Sequence, residues 1–125
     1  GPDLTAQQRR VYHAAQHLED HIEDVPVLIL VCIRADPDNT TWGSSIYPAV
    51  QNLLLAARGL GLGSVITTLH RRYEAEIKSL LGIPDNVETA ALLPVGYPEE
   101  GVQYGPTRRA PVNKVTFWER WGQTE

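Results

Sequence analysis

The sequence predicts a single domain of helices alternating with short strands. Three observations carry this. Residues 43–60 form a long apolar helix pattern, residues 25–33 and 88–97 form short β-rich runs, and glycine or proline closes each segment. At 125 residues one domain is the default, large enough to bury a real core, and the composition is that of an ordinary soluble α/β protein. The net charge of −4 gives no electrostatic case for nucleic acid as a partner. No apolar run is long enough to span a membrane, and no signal peptide is visible in the polar start GPDLTAQQRR. The lone Cys32 excludes an intrachain disulfide framework and reads as a small buried hydrophobe, consistent with a reducing, cytoplasmic setting. Gly1-Pro2 is consistent with a cleavage scar or the cut end of a longer chain.

The first helix is expected over residues 3–22. Asp3 or Thr5 can cap it, and Gln8 three residues after Thr5 suits a capping box. Val11, Ala14, Ala15, Leu18 and Ile22 make its apolar stripe. His13, His17 and His21 repeat every four residues, a spacing that can hold a metal. No additional ligand set accompanies them, so a solvated polar face is the better reading. Residues 25–33 are apolar at consecutive positions, as in a strand buried on both faces. A polar Asp-Pro loop follows.

The helix of residues 43–60 carries Ile46, Ala49, Val50, Leu53, Leu54, Ala57 and Leu60 on one broad face, and only a narrow polar strip. Such a helix is expected to be buried on most sides, in a domain centre or between two subunits. Ser45 is the expected cap, because it leaves Pro48 in the first turn where its missing N–H costs nothing. Gly59, Gly61 and Gly63 imitate a dinucleotide loop but follow a helix and lead to a strand, the reverse of the required order. They read as a helix stop and turn.

Residues 64–69 are expected as a strand whose polar end, Thr67 and Thr68, lies where α/β sheets often meet ligands. His70 is expected on the surface at the start of a helix over residues 73–81, which Gly82 and Pro84 end. Residues 88–97 form the last strand, with Pro94 pointing to an edge position or a bulge. Arg108 and Arg109, stiffened by prolines on both sides, form a local basic spot suited to phosphate or carboxylate. Phe117, Trp118 and Trp121 put aromatic surface near the end of the chain, as for docking against a second subunit.

The run SIYPAVQNLLLAARGLGLGSVITTLH, then LLGIP, ALLPVGYP and an Arg-x-Pro, resembles the C-terminal half of a nitroreductase-like flavoprotein. The resemblance implies an α+β fold: a mixed sheet flanked by helices, with the long central helix at a homodimer interface. It implies FMN as cofactor and NAD(P)H as donor. Hydride passes through the flavin to a small-molecule electron acceptor such as a nitroaromatic or quinone, and the protein supplies no nucleophile. It places Thr67, Thr68 and Leu69 beside the flavin ring, matches Arg109 to the phosphate-binding arginine, and makes Arg108 its neighbour. Family members carry an Arg-x-Ser-x-Arg type motif in a first half that has no counterpart in residues 1–24. The chain therefore reads as truncated at its N-terminus. The alternatives are a dimerising domain that binds no flavin by itself and, last, a metal module built on the histidines.

Overall fold

The computed structural model describes residues 4–34, 36, 38, 40–102, 104–105 and 109–124. Helix α1 spans Ala6–Asp20 and opens with the expected capping box. The Thr5 hydroxyl accepts from the Gln8 amide at 3.2 Å, and the Gln8 side chain accepts from the Thr5 amide at 2.8 Å. A 3₁₀ turn, Ile22–Asp24, leads into strand β1, Val27–Arg34. Helix α2 spans Trp42–Gly59, β2 only Gly63–Ser64, α3 Glu74–Leu81 and β3 Val87–Gly96. Gly61 and Gly82, both at positive φ, turn the chain after α2 and α3.

Helix α2 starts earlier than its cap chemistry suggested. Thr41, not Ser45, stands at the N-cap, and Pro48 lies inside the helix. Its ring nitrogen cannot donate to the Ser44 carbonyl, so one bond of the helix is missing there. The Gly43-Ser44-Ser45 turn is held regardless, with the Ser44 amide donating to the Thr41 carbonyl at 2.9 Å.

The three strands lie in the order β1-β3-β2, and both ladders are antiparallel. β1 and β2 therefore run the same way, joined through α2, with β3 inserted between them in the opposite sense. This order keeps the two co-directional strands from touching among the described residues. It also makes β3 central, so Pro94 occupies neither an edge nor a bulge. Gly63 pairs with Gly96, Ser64 with Val95, and Thr67 with Leu92, all in one register. In that register Val65 would face Pro94. Antiparallel alternation aims the N–H groups of Leu92 and Gly96, and the N–H that proline lacks, toward β2. The ladder breaks opposite the absent donor, which reduces the expected strand of residues 64–69 to a two-residue strand and an isolated bridge.

A bulge sets which side chains face which layer. Val31 pairs with Ala91 and Cys32 with Thr89, leaving Ala90 as the extra residue on β3. Before the bulge, Ile29, Val31, Ala91 and Leu93 face α2 and pack with Val50, Leu53 and Leu54 into the core. Leu28, Leu30 and Leu92 face the other way, toward α3. After the bulge the alternation is shifted by one, and Thr89 joins the α3 face.

Within one chain α2 is not buried on most sides. Only Val50 and Ala57 are buried, whereas Leu55 is 60% and Leu60 74% exposed. The chain exposes 10261 Å², where a folded monomer of 13.9 kDa exposes about 6,700 Å². Among the described residues no helix is long and apolar enough to cross a membrane.

Candidate functional site

The end of the interrupted β2 is held to β3 by the Thr67–Leu92 bridge. The Thr67 amide donates to the Leu92 carbonyl at 3.1 Å, and the Leu92 amide to the Thr67 carbonyl at 2.9 Å. The chain then turns into a 3₁₀ helix, Leu69–Tyr73, with Thr68 at its N-cap. The Thr67 hydroxyl accepts from the Leu69 amide at 3.2 Å, and the Thr68 carbonyl accepts from the Arg71 amide at 3.0 Å. Thr68 is exposed, and neither its amide nor its hydroxyl is bonded within the described residues. Two hydroxyl protons and one amide are thus free at this corner to meet an acceptor.

Directly behind it lies His70. It is 3% exposed, not the surface residue expected, because the 3₁₀ turn swings it onto the sheet. Its Nε2 lies 3.3 Å from the Thr89 carbonyl and 3.1 Å from the Thr89 hydroxyl. A carbonyl only accepts, and the hydroxyl donates to the Glu74 carboxylate, so both contacts assign the proton to Nε2. Nδ1 is buried without a partner among the described residues. The Arg71 guanidinium also reaches the Thr89 carbonyl, at 3.5 Å, and Lys78 lies 4.0 Å from Glu74. The Thr89 hydroxyl, helped by Lys78, Arg71 and His70 and opposed by partial burial, holds the Glu74 carboxyl below its usual range. Thr89 was not singled out from the sequence, and Glu74 was read only as the i, i+4 partner of Lys78. The available signal was a lone polar residue inside the apolar run TAALL.

Leu69 and His70 also line an apolar hollow of about 440 Å³ between the α3 face of the sheet and α3, with Leu30, Leu92, Tyr73 and Ile77. That volume is in the range of small-molecule sites. A second cleft, about 430 Å³, runs past Ser64, Pro94 and Tyr97, and the Ser64 hydroxyl there is buried without a partner.

Of the two arginines, Arg108 lies outside the described residues. Arg109 is exposed and forms no ion pair or hydrogen bond within the described residues. Tyr104, earlier in the chain, is strapped down. The Arg58 guanidinium stacks 3.2 Å from the centre of the Tyr104 ring, and the Tyr104 hydroxyl donates to the Leu62 carbonyl at 3.1 Å. Arg109 lies five positions after Tyr104, a reach of at most about 18 Å. No contact within the described residues joins Arg109 to the Thr67–Thr68 corner. His17 and His21 stack with ring centres 4.2 Å apart, and His21 Nδ1 bonds the His17 carbonyl at 2.8 Å. The described residues contain no cluster able to hold a metal ion.

The nitroreductase family model matches residues 2–97. A protein of Methanothermobacter thermautotrophicus, provisionally named an NADH dehydrogenase/NAD(P)H nitroreductase, is 39% identical over 84 residues. Those residues are 63% of this chain and 44% of that protein, so the chain spans less than half of its relative's length. Among solved structures, oxidised iodotyrosine deiodinase bound to FMN and 3-iodo-L-tyrosine superposes with a TM-score of 0.61 at 26% identity, covering 93% of this chain and 61% of that one. A nitroreductase-like family protein from Bacillus cereus shares the fold, with a TM-score of 0.66 at 22% identity over 94% of this chain and 63% of its own. With most of its length matched by the family model and its strands and helices superposing on these folds, this chain belongs to the nitroreductase family.

Proposed function

We propose that this chain is the flavin-binding part of a cytoplasmic, homodimeric, FMN-dependent oxidoreductase that uses NAD(P)H to reduce a small acceptor such as a nitroaromatic or a quinone. The observation that carries this reading is the Thr67–Thr68 corner, whose free hydroxyls and amide suit the acceptor-rich edge of a flavin ring. Iodotyrosine deiodinase, which shares the fold, was crystallised with FMN. The exposed apolar side chains of Tyr47 and Leu55 on α2, and of Leu60 at its C-cap, support a second copy packing there.

When bound, FMN supplies the two-electron redox centre between donor and acceptor. Thr68 donates from its amide and hydroxyl to the ring edge, and Thr67 from its hydroxyl. Leu69 presents apolar surface from the hollow and helps exclude water. Arg109, with Arg108 as its sequence neighbour, would pair with the phosphate; that Arg109 meets no carboxylate among the described residues suits that role. The net reaction moves one hydride from NAD(P)H and one proton from solvent to the acceptor, so that a quinone leaves as its hydroquinone.

The test is FMN titration of the purified protein by flavin fluorescence, followed by NADH and NADPH oxidation with a nitroaromatic and with a quinone. Saturable uptake that weakens in Thr68→Val is expected. No uptake and no flavin-dependent oxidation would overturn the reading. A second reading, a dimerising segment that takes no flavin alone, is favoured by one fact: the chain spans 44% of its Methanothermobacter relative. It predicts a dimer by ultracentrifugation that leaves FMN free.

A further inference from the structure

The corner that carries the proposed flavin contacts is clamped at both ends. On one side the Thr67 amide and carbonyl bond to Leu92. On the other, three residues later, His70 Nε2 bonds to Thr89, three residues before Leu92 on the same strand. Only Thr68 and Leu69 lie between the clamps. Thr68 there takes φ −120° and ψ 20°, between strand and helix dihedrals.

We propose that His70 is the positioning residue of this corner: by locking the 3₁₀ turn onto Thr89 it fixes where the Thr68 donors point. The inference rests on the flavin reading above for its consequence, but not for its geometry.

Three observations carry it. His70 is 97% buried by its 3% exposure, deeper than any other histidine described, although it follows a corner exposed to solvent. A buried imidazole with an unpartnered Nδ1 is costly, so the two Nε2 contacts must hold it in place. The receiving residue is itself prepared. Thr89 is fully buried, and the bulge at Ala90 is what turns its side chain to the α3 face. Its hydroxyl proton is committed to Glu74, which leaves its lone pairs for His70. Glu74 is in turn tied to Lys78 one helical turn on. A change at His70 is therefore transmitted to Thr68 rather than absorbed at random.

The test is amide hydrogen exchange on the flavin-free protein, paired with FMN titration, for wild type, His70→Leu and His70→Gln. Glutamine places an amide donor near the position of Nε2. His70→Leu is expected to speed exchange of the Thr67 and Leu69 amides about tenfold, the equivalent of one lost hydrogen bond. The Ile29 and Leu93 amides in the β1–β3 ladder should keep their rates. FMN affinity should fall about tenfold in parallel, and His70→Gln should recover most of both losses. Should His70→Leu lose protection throughout, Thr89→Val, which removes the hydroxyl that accepts from His70 and donates to Glu74, gives the same local readout at Thr67 and Leu69. Unchanged exchange at Thr67 and Leu69 in these variants overturns the positioning role. So does a general loosening that His70→Gln does not rescue. Local loosening in a protein that never takes up FMN leaves the clamp standing and sinks the flavin reading instead.

Discussion

Replacing Thr89 by valine tests the interior of this site with little change in shape, because a methyl takes the place of the hydroxyl. Thr89 is fully buried, so both bonds of its hydroxyl are at stake. The His70 contact at 3.1 Å is lost, although His70 keeps the Thr89 carbonyl at 3.3 Å. The Glu74 carboxylate loses a donor, but its side chain, 29% exposed, can regain water. Counting about 1 kcal/mol for each, the expected destabilisation is about 2 kcal/mol at neutral pH. With an unfolding entropy of about 2.1 cal/mol/K per residue, that lowers Tm by about 8 °C. Acid supplies a second arm. Glu74 is held below its usual pKa chiefly by Thr89. Its contribution is therefore complete above the unfolded value of about 4.3 and is lost as pH falls through the lower folded value. Valine removes the main cause of that shift, so the gap between wild type and variant should be wide at neutral pH and narrow in acid. Urea unfolding at about pH 7 and about pH 3 measures both. A loss below about 0.5 kcal/mol, or an equal gap at both values, would refute the assigned bonding.

Leu93→Ala removes a fully buried side chain between β3 and α2 and should cost about 3 kcal/mol in urea unfolding. Pro48→Ala restores a donor inside α2 and should stabilise by about 1 to 2 kcal/mol, the helix gain exceeding the lost chain stiffness; a lower Tm would show that the ring is needed for the helix path. Arg109→Ala should weaken FMN binding about 10- to 100-fold in a fluorescence titration. Tm without flavin should be unchanged, since Arg109 is exposed and unpaired within the described residues.

What could be read without the structure was what short stretches decide for themselves. Thr5 and Gln8 are three residues apart, and a capping box needs nothing further. Consecutive apolar residues marked β1 and β3, and Gly82 before Pro84 marked the end of α3. Thr67 does pair with the sheet where a strand end was expected, although only as an isolated bridge beyond the two-residue β2. Ser45 failed as a cap because the competing cap, Thr41, lies ahead of a polar turn that the helix simply absorbed. Pro94 failed as an edge marker because its missing N–H was matched by a gap in the neighbouring strand, not by solvent.

The sequence by itself determined α1, β1, β3 and the stop of α3, because capping, periodicity and turn chemistry act over a few residues, and its resemblance pointed to the family. Only the tertiary structure decided which residues meet. His70 and Thr89 are 19 positions apart, and no local pattern pairs them. Their contact depends on register parity: one extra residue, Ala90, carries Thr89 from the α2 face to the α3 face. The same holds for Tyr104, 42 positions from the Leu62 carbonyl it bonds. What covers α2 was beyond the sequence for a related reason. Apolar spacing tells how much surface a helix must hide, while what covers it is settled by the layers that assemble around it.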